Sequence, residues 1–331
     1  MLSKNCMLFP MGVNLHGAIP SVEVMKTNLS LLDPDYNDSC KFEISQIFHC
    51  DGFLLCTNKD QSRFVVWNPC TGQTRWFKLP KCGMFKTDCR TFVLGYDDRR
   101  SCNHKRRYKI LSSYQRGNGM EIYEFDSDTW RNILGDDIAL GCETLFTWSS
   151  KSLKGNAYMF ARRVGTNHGL FLLRFDFSTE KSRLLSLPSE WDTSFEATRL
   201  SVIREEKLSV LLQLFVTSRI EIWVTDKIGN ETKEALSWSK ILSMDWSSNT
   251  EFSFFTSFVL DEEKKVVMCC NRHIYEDKRE DLVFIVGEDN EVTRVHSGVN
   301  TCKENGYTTI FHYVPSLLQI EQARGKRKRG D

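Results

Sequence analysis

Three groups of side chains in this chain have residue types suited to chemistry, and their spacing limits what each can do. Cys82, Cys89, Cys102 and His104 gather soft donors in one stretch. Tetrahedral zinc sites normally draw on paired ligands with two to four residues between them, and the spacing here fits no such pattern, so no metal is expected. Glu205-Glu206 and Glu262-Glu263 set carboxylates side by side. An acid–base dyad needs one carboxyl desolvated beside another. Both pairs lie in charged runs between apolar ones, Arg204–Lys207 and Asp261–Lys264, where neighbours point apart and stay hydrated. The third group is basic: Arg99-Arg100 with His104-Lys105-Arg106-Arg107, and Lys326-Arg327-Lys328-Arg329 near the end. A solvated loop is expected for the first. The second follows Gly325, outside any expected strand, and has the pattern of a short nuclear-import signal. Aromatic residues are not interleaved with these charges, as a single-strand nucleic-acid platform would require.

Other catalytic signatures are missing. The chain holds no Gly-x-Ser-x-Gly elbow, no phosphate-cradling Gly-x-x-x-x-Gly-Lys-Ser/Thr loop and no His-Glu-x-x-His pair. His49 ends an apolar run just before Asp51-Gly52 and reads as a structural polar residue. No Cys-x-x-Cys occurs among the twelve cysteines, and Cys56, Cys269 and Cys270 sit inside apolar runs as small hydrophobes. Neither an enzyme nor a cofactor-binding protein is expected.

The elements that would carry these residues recur. From Cys50 to Pro80 the chain reads as the turn Asp51-Gly52, strand Phe53–Thr57, a polar tip, strand Phe64–Asn68, the turn Pro69–Gly72 and strand Thr74–Lys78. Each later unit has a matching third strand, marked by Trp67, Tyr123, Phe175, Trp223 and Ile285 in turn. The steps of 56, 52, 48 and 62 residues lie near the kelch-type blade period of about 50. A unit of four short strands cannot bury its faces alone and must stack on its neighbours. Charged tips and Lys154-Gly155-Asn156 read as hairpin turns. No sustained helical stripe is present, so helix should be scarce.

Five complete units span Phe42 to Ser297, and strand-forming remnants remain at Cys6–His16 and Tyr307–Ile320. Since a ring must hide its edges, the expected fold is all-β, a kelch-like β-propeller of about six four-stranded blades, the last completed by both termini. Residues 1–41 would contribute an edge strand, 42–320 the propeller, and 321–331 a basic disordered tail. With 331 residues and a formal net charge of +1, the chain has ample core and no field that commits it to nucleic acid or an anionic membrane. Its longest apolar runs, Leu208–Val216 and Phe252–Leu260, are too short for a membrane helix of ~20 residues.

Particular runs carry a family resemblance. Cys50-Asp51-Gly52-Phe53-Leu54-Leu55-Cys56-Thr57 and Val65-Val66-Trp67-Asn68-Pro69-Cys70-Thr71-Gly72 resemble the plant F-box-associated (type 1) domain. So do Leu94-Gly95-Tyr96-Asp97, Glu121-Ile122-Tyr123-Glu124-Phe125, Ser152-Leu153-Lys154-Gly155-Asn156 and Ile220-Glu221-Ile222-Trp223-Val224-Thr225. The likeness runs in order along nearly the whole chain.

The resemblance implies a substrate-recognition module of SCF-type ubiquitin ligases, holding a target protein. In such proteins a preceding F-box grips a Skp-type adaptor and, through it, a cullin. The first fifty residues here lack the F-box signature, and no Trp occurs before Trp67. Direct adaptor binding is therefore not expected of this chain. The alternative is a stand-alone interaction domain with no ligase link. Either would place the protein in the nucleus, the cytoplasm or both.

Overall fold

The computed structural model describes residues 1–4, 7–14, 21–25, 29–34, 41–58, 60–78, 90–97, 106–114, 119–133, 141–145, 149–165, 169–188, 195–214, 219–229, 235–245, 257–275, 278–287, 291–296 and 309–321. Among them there is no α-helix. Five antiparallel sheets follow one another along the chain: Gln46–Lys78, Arg90–Asn132, Cys142–Leu185, Phe195–Asp245 and Ser257–His296. Each is a meander of four strands in sequence order. The third sheet adds Lys151–Leu153 beside Cys142–Leu145, both paired with Asn156–Arg163. All five marker residues fall on the third strand of their sheets. The architecture is a β-propeller.

A sixth sheet is built from both ends of the chain. Leu2–Lys4 pairs with Thr309-Ile310 on one side and with Met7–Phe9 on the other, and Leu29 bridges onto Leu8. The Met1 ammonium donates to the Phe311 carbonyl at 2.7 Å, and the Phe311 amide returns a bond to Met1. The expected closure by both termini is present, with a different strand making it. Leu2–Lys4, ahead of the remnant expected at Cys6–His16, meets the C-terminal strand, and Met11–Asn14 pairs separately with Ser21–Val24. The N-terminal contribution is thus larger than a single edge strand.

Packing shows why these sequences stack. In the first blade, Phe53, Leu55, Phe64 and Val66 enter one apolar seam with the second blade. Leu54, Cys56, Val65 and Trp67 enter the opposite seam, against the terminal sheet. Successive side chains point to opposite faces of a strand, and here both faces are covered, so middle strands read as continuous apolar runs. Six buried clusters fill six seams and close the ring. Gly95 lets two blades meet closely: a Cβ there would lie 2.0 Å from the Phe177 ring.

Candidate functional site

Hairpin geometry places the polar residues at the ring's centre. The turns Asp51-Gly52 and Lys154-Gly155 take positive φ at both positions, as two-residue type I′ connections require, and Arg204 and Glu205 take positive φ within a three-residue connection from Ile203 to Lys207. They bring the first strands of their blades to one face. Those strands, with Thr309-Ile310, surround a central cavity of about 390 Å³. Lys154 lines it but turns its ammonium to the Ile228 carbonyl at 2.7 Å, and five more basic groups stand in or beside it: Lys151, Arg199, His49, His312 and the Met1 ammonium.

Each of these is pushed toward its neutral form. Burial, helped by Arg199, lowers Lys151 to about 8, and burial lowers Arg199 to about 9. Burial and the neighbouring His312 and Lys151 take His49 to about 4. Its Nε2 accepts the Gly52 amide at 3.2 Å, which suits a neutral ring, and the Tyr313 ring packs edge-on against it at 5.4 Å. The expectation of a structural His49 agrees with these contacts. Burial brings the Met1 ammonium to about 6.

Carboxylates appear only at the mouth. Arg106 donates to Asp51 at 2.7 Å while lying 4.4 Å over the Tyr96 ring, and the Tyr108 hydroxyl donates to the same oxygen at 3.0 Å. Burial raises Asp51 despite these partners. Burial and then Asp51 raise Glu205. The like-charged neighbours at this mouth are therefore Glu205 and Asp51, from different blades, rather than the sequence pair Glu205-Glu206. Glu206 turns to solvent and pairs with Lys227 at 2.7 Å. Glu262 and Glu263 bind Lys207 and Arg204 of the preceding blade at 2.6 and 2.7 Å. Glu263 is exposed, as expected, whereas Glu262 is half-buried against Lys207, and both join two blades.

A segment at the C-terminal end crosses the same face. Asn68 donates to the carbonyls of Ser316 and Leu318, and Gln73 accepts the Ile320 amide. Gly52 lets this strap approach, since its Cβ would lie 2.4 Å from that of Ser316. Arg75 anchors the strap end at Glu321 and reaches the next blade at Tyr123, Phe125 and Asp128.

Of the other sequence candidates, Cys82, Cys89, Cys102, His104, Arg99 and Arg100 lie outside the described residues, as do Lys326, Arg327, Lys328 and Arg329. Arg106 is not a freely solvated loop cation; it is pinned at the channel mouth. Cys56 and Cys269 are buried in strands, and burial pushes both thiols up. Among the described residues, no group of three His, Cys, Asp or Glu side chains could hold a metal. Sequence reasoning missed Lys151 and Arg199; for Lys151 the available signal was a lone cation in the otherwise uncharged strand Lys151–Leu153.

Comparison with known proteins bears on the whole ring. A family profile described as the F-box associated beta propeller domain matches residues 1–320. The F-box protein ETP2 of Arabidopsis thaliana is 47% identical over 336 residues, covering 99% of this chain and 84% of its own length. ETP1 of the same plant is 43% identical over 363 residues, covering 100% of this chain and 86% of its own. An F-box/kelch-repeat protein of that plant is 45% identical, with 99% and 84% covered.

Proposed function

The chain belongs to the F-box-associated β-propeller family, and from that membership we propose that it is the target-holding module of an SCF-type ubiquitin-ligase adaptor. The match across residues 1–320 carries this reading, together with the F-box names of its relatives. It acts by binding rather than catalysis. The geometry supports that role: a ring closed through six apolar seams offers a fixed platform, and a preorganised surface loses little freedom on binding.

Attachment to the ligase is a separate step. Residues 2–4 and 7–9 are strands of the closing sheet, so they are already committed to the ring. An F-box grips its adaptor with helices, and an interface of standard size takes about 800 Å² per partner. We infer that the Skp-type adaptor and cullin are reached through an F-box outside the propeller, and that this chain alone does not bind the adaptor. Direct titration of the two purified proteins tests this: micromolar or tighter association would reveal a docking surface on the propeller. If cells also show no ligase association, the chain is a stand-alone interaction domain. Lys326–Arg329 would carry it into the nucleus, and a fluorescent fusion that stays nuclear after their replacement by alanine would reject that role.

A further inference from the structure

One amine in the central cavity has no structural task. Lys151 opens the strand Lys151–Leu153 and shares a strand face with Leu153, which packs in the seam with the fourth blade. Its charge acts on His49 of the first blade and feels Arg199 of the fourth, and both of those residues line the cavity, so the amine stands inside it. Lys151 keeps some accessible surface within the ring because it fronts that space. No hydrogen bond or ion pair joins it to any described residue. The other cations of the wall differ: Lys154 holds the Ile228 carbonyl and Arg199 the Thr198 carbonyl, each at 2.7 Å. Ile47, Leu200, Phe258 and Ile310 give the same wall an apolar character. At about 390 Å³ the cavity falls in the range of sites that take small organic ligands.

We propose that the Lys151 amine captures a small apolar aldehyde inside this cavity as a reversible imine. The lysine nitrogen adds to the carbonyl carbon, and the oxygen then leaves as water with the two N–H protons, so that a C=N bond replaces the C=O bond. No oxidant or reductant enters. Burial, helped by Arg199, lowers Lys151 to about 8, so near pH 8 about half of this amine is neutral, against less than about 1% of an ordinary lysine. The apolar wall takes the body of the aldehyde, and Arg199 and His312 on the same lining select against a cationic one. This capture does not depend on target holding, since it is read from the adduct and not from a partner protein.

Labelling of the full chain at pH 8 with 2-naphthaldehyde and sodium cyanoborohydride tests the proposal. Hydride delivered to the imine carbon fixes the adduct as a secondary amine, which peptide mass mapping assigns to one lysine. Lys151 should be labelled at least about tenfold faster than any other lysine, as its larger neutral fraction requires. 2-Naphthylmethanol enters the same space without forming an imine, and should slow labelling at Lys151 at least about twofold while leaving the other lysines unchanged. Without reductant, the aldehyde should raise the melting temperature of the wild type by at least about 2 °C, because only the folded ring offers the site. Lys151→Arg keeps the charge but cannot form the imine, and should show no such rise.

Should that variant fail to fold, a pH series on the wild type decides. From pH 8 to 9.5 the neutral fraction of Lys151 rises only about twofold, while that of ordinary lysines rises more than about tenfold. The labelling of Lys151 relative to the other lysines should therefore fall about tenfold over that interval. His49, His312 and the Met1 ammonium titrate below this window, Arg199, near 9, loses its charge after Lys151, and Asp51 and Glu205 stand at the mouth. The proposal is overturned by even labelling of Lys151 and the exposed lysines, by a labelling ratio flat with pH, or by equal melting shifts in the wild type and Lys151→Arg. Labelling of Lys151 that the alcohol leaves undiminished would also overturn it, because the amine would then react from outside the cavity.

Discussion

Two stretches of the ring are joined by charge in different ways. Where the first three blades meet, an arginine on each outer strand reaches the turn of the next blade. Arg75, only 5% exposed, bonds Asp128 at 3.1 Å and the Phe125 carbonyl at 2.9 Å, with its guanidinium 4.7 Å from the Phe125 ring. Arg131 repeats the connection to Glu180 at 2.6 and 2.7 Å, and Lys109 reaches the same carboxylate at 2.7 Å. Between the fourth and fifth blades a half-buried pair, Lys207 with Glu262, is joined by an exposed one at the inner tips, with Arg204 61% and Glu263 71% exposed. Burial, rather than the number of ion pairs, decides what such contacts contribute. An exposed pair gains little Coulomb energy in water and costs side-chain entropy, whereas a buried hub also satisfies carbonyls that would otherwise go unpaired.

Mutations can break this contrast, beginning with the strongest. Gly95→Ala drives a methyl into the Phe177 ring at the seam of the second and third blades. It should cost about 3 kcal/mol in urea unfolding, as overpacking of a rigid core does. Arg75→Ala removes a hub that ties the strap to the next blade and should cost about 2 kcal/mol. Arg131 is 41% exposed, so Arg131→Ala should cost below about 1 kcal/mol and lose most of that effect in 1 M salt. Arg204→Ala should leave the melting temperature unchanged in calorimetry. If Arg204→Ala proves as damaging as Arg75→Ala, exposure is the wrong criterion for ranking these contacts.

The same contrast shows what the sequence made legible. Arg75, Arg131 and Arg183 each lie nine residues beyond the third-strand residue they face, namely Val66, Ile122 and Arg174. Arg294 faces Phe284 in the fifth blade. That spacing could have been read, and so were the markers and the Asp51-Gly52 and Lys154-Gly155 turns, because these follow from local pairing; closure by both termini was legible because a ring must hide its edge strands. The channel could not be read this way. Lys151, Arg199 and Glu205 are drawn together by closure of the ring across blades, and local pattern says nothing about which inner strands face one another. Leu2–Lys4 was overlooked because three residues hold too little alternation to mark a strand.

The central claim is that this propeller holds a target and leaves ligase attachment to another element. It is tested most directly by quantitative affinity purification from proteasome-inhibited plant cells, with three baits: the chain, the chain behind a family F-box, and a Gly95→Trp variant, whose indole cannot fit the seam against Phe177 and so unfolds the ring. The account predicts one shared set of proteins on the first two baits, lost from the third, with Skp-type adaptor present only on the second. Adaptor recovered with the chain alone, or a protein set that survives Gly95→Trp unfolding of the ring, would contradict it.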